Sequence, residues 1–368
     1  MKKLLLATCA CLITTQAVAQ NSHYIRNMQS GWTLSGTVEI VDSSNNPTEL
    51  TKDIDEGLQQ KLWSTAFYNN KVVILADSDS VLAETYNVSP PDKNLTPGGN
   101  SMSKSVLSLL VGQAMCKGAI DISKPASDYS NELKGTSWGN ATIRQLLMMS
   151  SGAYFAPDRL YGHRNKDMQK QMTHPIGSRQ SEKVSAILKQ HDQQYFKSGS
   201  RFMYSNADTM AVSLALKSAT GKPIYELTQE LWNEVGAEYK ATWLVNSHNE
   251  TMSYMGFAAK PEDWVRLGQY VNKKIKQDDC FGKYLQEATT TQIDYPEPYQ
   301  NRDYGYFIWT KCAPANPDSF CFIGAFGQML MMDPTYDTVL YVHSTAPKWG
   351  GVNHWGLYMW EATIGKKE

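Results

Sequence analysis

Ser101 and Lys104 open an apolar run in the stretch GGNSMSKSVLSLLVGQAM, residues 98–115, and their types and spacing could make a nucleophile. Residues three apart on a helix share a face, so the serine hydroxyl and the lysine amine can meet. A serine attacks a carbonyl only when a neighbouring base takes its proton. A lysine can be that base only when neutral. Two features favour neutrality: the apolar surroundings supplied by Val106, Leu107, Leu109, Leu110 and Val111, and the positive end of the helix dipole. Alone, S-x-x-K is a weak signal, because a capping serine followed by an exposed lysine is ordinary helix chemistry.

Company at the right places raises its weight. Tyr204-Ser205-Asn206 stands at the entrance to another apolar helix, NADTMAVSLALKSATG. A cation favours the phenolate form of an adjacent tyrosine, so Tyr204 beside a lysine could share its proton. The Asn206 amide offers both a donor and an acceptor to an acyl substrate; the plainer role for Asn206 is a helix cap, and for Tyr204 simple packing. A third piece is FIGAFGQMLMMD, where Gly324 and Gly327 interrupt a strand-like run. Glycine in a strand marks a bulge or a close backbone approach, and a bare strand edge can aim an N–H at a substrate oxygen. A rival serine, Ser137 in GTSWG (residues 135–139), matches the G-x-S-x-G nucleophile elbow. That elbow needs a hydrophobic strand entering it, whereas SNELK is polar and turn-like, so a surface loop is expected.

The chain of 368 residues carries 35 Lys+Arg against 36 Asp+Glu, a balance without the basic footprint of a nucleic-acid binder. Residues 1–19 have the form of a signal peptide: Lys2 and Lys3, an apolar stretch from Leu4 to Thr15, and the small residues Ala17 to Ala19 at the cleavage site. The expected mature chain begins near Gln20, is exported, and suits a bacterial periplasm. The apolar stretch is too short to span a bilayer. The seven histidines are scattered and form neither H-E-x-x-H nor C-x-x-C, so no metal and no cofactor is expected. Beyond Cys9 and Cys11, the cysteines are Cys116, Cys280, Cys312 and Cys321, which allow three pairings. Cys312 and Cys321 flank the turn-rich APANPDSF and suit a bridge across a hairpin, whereas Cys116 on the apolar helix is expected to be a small buried hydrophobe.

The elements that must position these residues follow from periodicity. KVVILADSDSVLAETY has the pattern of two strands joined by a polar turn. A helix runs from Ser101 to about Gly118, and residues 121–245 are mainly helical, with Gly221 as a helix stop. PEDWVRLGQYVNKKI is an amphipathic helix, followed by the strand-like runs DYGYFIWTKC, SFCFIGAFGQMLMMD and DTVLYVHST, and by a last helix in HWGLYMWEATIG. Strands at both ends and helices between predict a mixed α/β (α+β) fold. Its sheet lobe would comprise residues 20–120 and 246–368, its inserted helical lobe residues 121–245, with a cleft between them.

Ser101-x-x-Lys104, Tyr204-x-Asn206 and a late glycine-rich strand, in that order, resemble the penicillin-recognising serine hydrolases. The branch that the chain is similar to contains class C β-lactamases, family VIII esterases and 6-aminohexanoate-dimer hydrolases, on TIRQLLMMSSG, SGSRFMYSN, DYGYFIW and GAFGQMLMMDP as well. The resemblance implies a β-lactamase/transpeptidase-like fold, an antiparallel sheet flanked by helices plus a helical domain. It implies Ser101 as the acylated nucleophile, Lys104 and Tyr204 as the proton-transfer pair, and Asn206 as an orienting amide. It also implies an oxyanion hole from the N–H groups of Ser101 and Gln328, with Gly327 beside it. The family's K-T-G or H/W-x-G is replaced by Ala325-Phe326-Gly327, and alanine carries neither charge nor a donor, so strong penicillinase activity is not expected. Trp349-Gly350-Gly351 imitates W-x-G but follows the last strand-like run; His343 and His354 lie near it. The G-x-x-G-Q pattern favours the oligoamide-dimer branch, with a small amide or ester as substrate. A D,D-peptidase or penicillin-binding protein and an inactive binding protein of the same fold are the rivals. The stretch 155–179 could be a lid or plain solvated surface.

Overall fold

The computed structural model describes residues 25–26, 33–34, 38–65, 70–87, 96–153, 183–295, 302–313 and 316–344. The expected signal peptide, the stretch 155–179, Trp349-Gly350-Gly351, His354 and the last helix lie outside the described residues. The strands are β1 Ile25–Arg26, β2 Thr33–Leu34, β3 Val38–Val41, β4 Thr51–Lys52, β5 Asn70–Ala76, β6 Ser80–Tyr86, β7 Ala241–Leu244, β8 Phe257–Ala258, β9 Asp303–Tyr304, β10 Trp309–Thr310, β11 Phe320–Gly324, β12 Gln328–Asp333 and β13 Thr338–Ser344. Eight of them form one sheet in the order β4-β6-β5-β13-β12-β11-β10-β9. Every pairing in it is antiparallel except β4 with β6. A separate three-stranded sheet runs β3-β7-β8, so strand Ala241–Leu244 joins the N-terminal stretch rather than the large sheet.

The central strands are apolar at successive positions because both faces of the large sheet are covered. Val72, Ile74, Leu330, Val339 and Tyr341 enter the main core, while Val73, Leu75, Met329, Leu340 and Val342 enter a second one. Helix Pro261–Lys274 brings Trp264, Val265, Leu267 and Val271 to the first face, and helix Glu56–Thr65 brings Leu58 and Leu62 to the second. Between sheet and helices lies Met102–Cys116, buried from Met102 to Ala114 all the way round. Its buried serines are met internally, Ser105 Oγ by Phe307 O and Ser108 Oγ by the Tyr284 hydroxyl. Gly112 lets it approach its neighbour, since a Cβ there would fall 2.3 Å from the Tyr284 ring. The helices of the intervening segment are held by local chemistry: Thr142 and Gln145 form a capping box on Ile143–Leu147, and Ser205 caps Asn206–Thr220, which Gly221 ends at φ 68°.

Three expectations change. Cys116 is not a free hydrophobe; it forms a disulfide with Cys280, which pins the end of the buried helix to helix Cys280–Ala288, while Cys312 pairs with Cys321 across the β10–β11 hairpin as expected. Periodicity could not show that Cys116 sits at the helix's last turn, where it emerges beside another element. The runs DYGYFIWTKC and SFCFIGAFGQMLMMD are each two strands: the first turns between β9 and β10, with Phe307 at φ 54°, and the second between β11 and β12 at Ala325–Gly327. Finally, GTSWG is no surface loop. Ser137 begins the short helix Ser137–Asn140, Trp138 is fully buried, and no strand leads into it.

Candidate active site

The turn that opens the buried helix decides what Ser101 can do. Asn100 takes φ 50°, a left-handed conformation that asparagine tolerates better than most residues. The first helical N–H groups are then met within the turn: Met102 donates to Gly99 O, Ser103 to Asn100 O and Lys104 to Ser101 O. Ser103 performs the local side-chain work, donating from Oγ to Asn100 O at 2.6 Å and accepting from Phe257 N at 2.9 Å. Ser101 makes no side-chain cap hydrogen bond. Its hydroxyl is therefore not spent on the helix backbone, and among the described residues no carbonyl takes its N–H.

One turn along, Lys104 is 1% exposed. Its Nζ lies 3.1 Å from Ser101 Oγ and donates to Tyr254 O at 2.7 Å. Burial drives its pKa well below the ordinary lysine value. A neutral amine uses one N–H on the Tyr254 carbonyl and keeps a lone pair that the serine O–H can address. Nζ also sits 4.9 Å from the centroid of the Tyr204 ring and 5.7 Å from that of Tyr254. The phenol from the intervening segment thus stands beside the amine of the buried helix.

Tyr204 is fixed from several sides. Met203 N donates to Met149 O at 2.7 Å and Ser205 N to Met149 Sδ at 3.2 Å, so the residues flanking Tyr204 are laced to residues 148–153, a strap that follows helix Ile143–Leu147. The Tyr204 ring stacks on Trp309 at 6.1 Å and meets Tyr304 edge-on at 6.3 Å. Asn206 does not cap the helix: Ser205 Oγ does, accepting from Ala207 N and Asp208 N at 3.2 and 3.3 Å. Asn206 is the first helical residue and is half-buried. Ser101, Asn206, Trp309 and Ala325 are all half-buried, while Lys104 and Tyr204 are buried, so the amine and phenol lie beneath partly open neighbours.

The third motif meets the nucleophile turn through its first glycine. Gly324 packs directly on the Ser101 turn, where a Cβ would fall 2.1 Å from Gly99 O, and Asn100 Nδ2 donates to Ala325 O at 3.1 Å. Gly324 and Ala325 thus bring the hairpin against the nucleophile turn. Gly327, at φ 86°, and Phe326, at φ 64°, serve the hairpin turn. The Gln328 side chain is buried and directed elsewhere: Nε2 donates to Ser344 O at 2.6 Å, and Oε1 lies 2.5 Å from His343 Nδ1. That network assigns the His343 proton to Nδ1, with Nε2 left without a partner among the described residues. Burial, aided by Lys71, pushes the His343 pKa down to about 4, so the ring is neutral.

Sequence reasoning did not find Tyr254, whose carbonyl anchors the amine, nor Asn100, which ties the nucleophile turn to the hairpin. Asp208 was also missed; it is fully buried and accepts from Trp138 Nε1 at 3.1 Å and Ser151 Oγ at 2.7 Å. Backbone carbonyls leave no sequence signal. The asparagine before Ser101 was a readable hint of a left-handed turn. Among the described residues no group of His, Cys, Asp and Glu is assembled to hold a metal ion, and no helix is long and apolar enough to cross a membrane.

Comparison with known proteins fits this architecture. The 6-aminohexanoate-dimer hydrolase of Paenarthrobacter ureafaciens is 24% identical over 325 residues, 81% of this chain and 77% of the relative. A Bacillus anthracis protein described as a 6-aminohexanoate-dimer hydrolase superposes with a TM-score of 0.74 at 18% identity, covering 90% of this chain and 92% of that one. A penicillin-binding protein from Bacillus halodurans superposes with a TM-score of 0.61 at 17% identity, over 84% of this chain and 100% of that one. Residues 71–363 match the Beta-lactamase family, and with that span of the chain matched, this protein belongs to the β-lactamase family of serine hydrolases.

Proposed function

We propose that this protein is an exported amidase or esterase that cleaves small amide or ester substrates through an acyl-enzyme on Ser101. The observation that carries the reading is the buried Lys104 amine 3.1 Å from Ser101 Oγ, where desolvation lowers its pKa and so favours the neutral base. In the forward step Ser101 Oγ attacks the substrate carbonyl while its proton passes to Lys104. The tetrahedral oxygen is held by the N–H of Ser101 and by a second N–H from the hairpin. Gly324 and Ala325 pack against the nucleophile turn, which supports the Ala325 N–H in that role in place of Gln328. Tyr204, beside the amine, relays the proton to the departing amine or alcohol, and Asn206 orients the acyl group. Water then attacks the ester carbon by the reverse path, returning the serine.

Similarity to 6-aminohexanoate-dimer hydrolases makes short ω-amino-acid oligoamides the first class of substrate to try. The uncharged Ala325 beside the nucleophile turn speaks against tight gripping of a β-lactam carboxylate. Lys2, Lys3, the apolar stretch and the small residues at 17–19 support the proposed export, for which a periplasm is the fitting destination. The test is a screen across p-nitrophenyl esters, ω-amino-acid dimers, D-Ala-D-Ala peptides and a cephalosporin. Turnover of esters or amide dimers that Ser101→Ala abolishes and Ser137→Ala leaves intact is the expected result. Long-lived trapping of a fluorescent penicillin would favour a D,D-peptidase instead, and no turnover of any of these would favour a binding protein.

A further inference from the structure

We infer that Asp208, which touches neither Ser101 nor Lys104 in any hydrogen bond of the structure, is the positioning residue that locks Tyr204 against the Lys104 amine, and that it does so only when ionised. This inference rests on the acyl-enzyme reading above and specifies how its proton-transfer pair is held.

Asp208 is the third residue of helix Asn206–Thr220 and is 0% exposed. Its carboxylate collects donors from two other segments: Trp138 Nε1 at 3.1 Å and Ser151 Oγ at 2.7 Å on Oδ1, and Ser151 N at 3.2 Å on Oδ2. Both oxygens are therefore accepting, a pattern that favours the anion, since protonation would add a donor where the neighbours already donate. Ser151 belongs to the same strap as Met149, whose carbonyl and sulfur take the N–H groups of Met203 and Ser205 on either side of Tyr204. Ser151 in turn is tied onward, with its Oγ accepting from Ala153 N and its carbonyl accepting from Gln194 Nε2 and Ser198 Oγ. On the helix side, Ser205 Oγ accepts from Asp208 N. Asp208 thus closes a ring: helix start, strap, and the phenol-bearing segment between them.

A buried carboxylate that must be charged to satisfy its donors is sensitive to pH. Burial lifts the Asp208 pKa to about 7, against the lowering effect of its hydrogen bonds from Ser151, Ser205 and Trp138. The titratable group coupled to it is Tyr304 on β9, which also senses Tyr204 on Asp208's own segment; Tyr204 in turn faces Lys104 on the buried helix. Tyr304 is pushed well up by burial first, then by Tyr204 and Asp208, and stays neutral. Below the Asp208 pKa one oxygen becomes an O–H facing a donor, the tie between strap and helix loosens, and Tyr204 loses its seat beside the amine.

The experiment compares pH profiles of p-nitrophenyl acetate hydrolysis for the wild type, Asp208→Asn, Ser151→Ala and Ser101→Ala. Asparagine presents an amide N–H₂ where one oxygen accepted, which imitates the protonated acid at every pH. Asp208→Asn is expected to lower kcat roughly 10²-fold, to leave KM within about twofold, and to erase the acid limb centred near pH 7. Ser151→Ala removes an O–H that stabilises the anion, so it keeps the limb and moves it to higher pH. The second variant carries the test if the first does not fold. Profiles of both variants parallel to the wild type, whether at full or uniformly reduced height, would overturn the inference and leave Asp208 a structural tie. If Ser101→Ala still turned over ester, the acyl-enzyme reading itself would fall and this inference with it; a dead Ser101→Ala beside unshifted Asp208 and Ser151 profiles would sink only the inference.

Discussion

Replacing Gly324 by alanine probes the contact on which the geometry of the nucleophile turn depends. The added Cβ would lie 2.1 Å from Gly99 O, 2.9 Å from Gln328 Cβ and 3.2 Å from Asn100 Cβ. An ordinary C···O contact is about 3.3 Å, so the Gly99–Asn100 backbone must retreat by roughly 1 Å. That backbone is the turn that aims Ser101, and it cannot move freely because Asn100 is tied to Ala325 O and Gly99 N to Phe257 O. A misplacement of about 1 Å in a reacting group costs on the order of 10²-fold in rate, or about 2.7 kcal/mol in the barrier. The strain itself should cost about 1–3 kcal/mol of stability. The assay is steady-state hydrolysis of a p-nitrophenyl ester, with thermal melting to establish that the variant is folded. The expected outcome is a folded protein whose kcat has dropped about 100-fold. A folded Gly324→Ala enzyme with kcat within about twofold of the wild type would refute the reasoning that this hairpin braces the nucleophile.

Lys104→Met should abolish ester turnover yet raise the melting temperature, because it removes a desolvated amine from a site that is 1% exposed; the gain should be about 0.5–2 kcal/mol, as when other strained functional groups are relieved. Because folding lowers the Lys104 pKa, the unfolded chain binds the extra proton between the depressed and ordinary values, so this group makes wild-type stability rise with pH across that window, a slope that Lys104→Met should lose in pH-dependent chemical denaturation. Tyr204→Phe keeps the stacking on Trp309 but removes the proton relay, and should reduce kcat by about 10²–10⁴-fold with little change in melting. Breaking Cys116–Cys280, whose partners are 164 residues apart, by a double serine variant should cost roughly 2–5 kcal/mol in denaturant titration, and breaking Cys312–Cys321, 9 residues apart, distinctly less.

The parts of this site that were legible in sequence are those set by local periodicity. Ser101 and Lys104 share a helix face whatever the fold does around them, and the apolar residues after them announced greasy surroundings for the amine. Tyr204 was suggested only by type and order; that its ring would stand 4.9 Å from the amine is a tertiary fact. Asn206 and Ser205 show the limit of cap reasoning, since both residue types cap well and only the structure assigns the cap to Ser205. The third motif was legible only as two glycines. Gly324 and Gly327 both interrupt an apolar run, and pattern alone cannot tell which one abuts another backbone and which merely turns a hairpin. GTSWG failed for a different reason: its polar approach suggested a surface, but Trp138 is drawn inside because a buried carboxylate far along the chain awaits its N–H. Long-range polar pairs of this kind, and the bond between Cys116 and Cys280, carry no local signature.

The most direct measurement is mass spectrometry of the enzyme quenched during turnover of a slowly deacylating p-nitrophenyl ester, followed by peptide mapping. The account predicts an acyl adduct confined to the peptide containing Ser101, absent from Ser101→Ala and failing to accumulate in Lys104→Met. An adduct on any other residue, or full accumulation in the Lys104→Met protein, would contradict it.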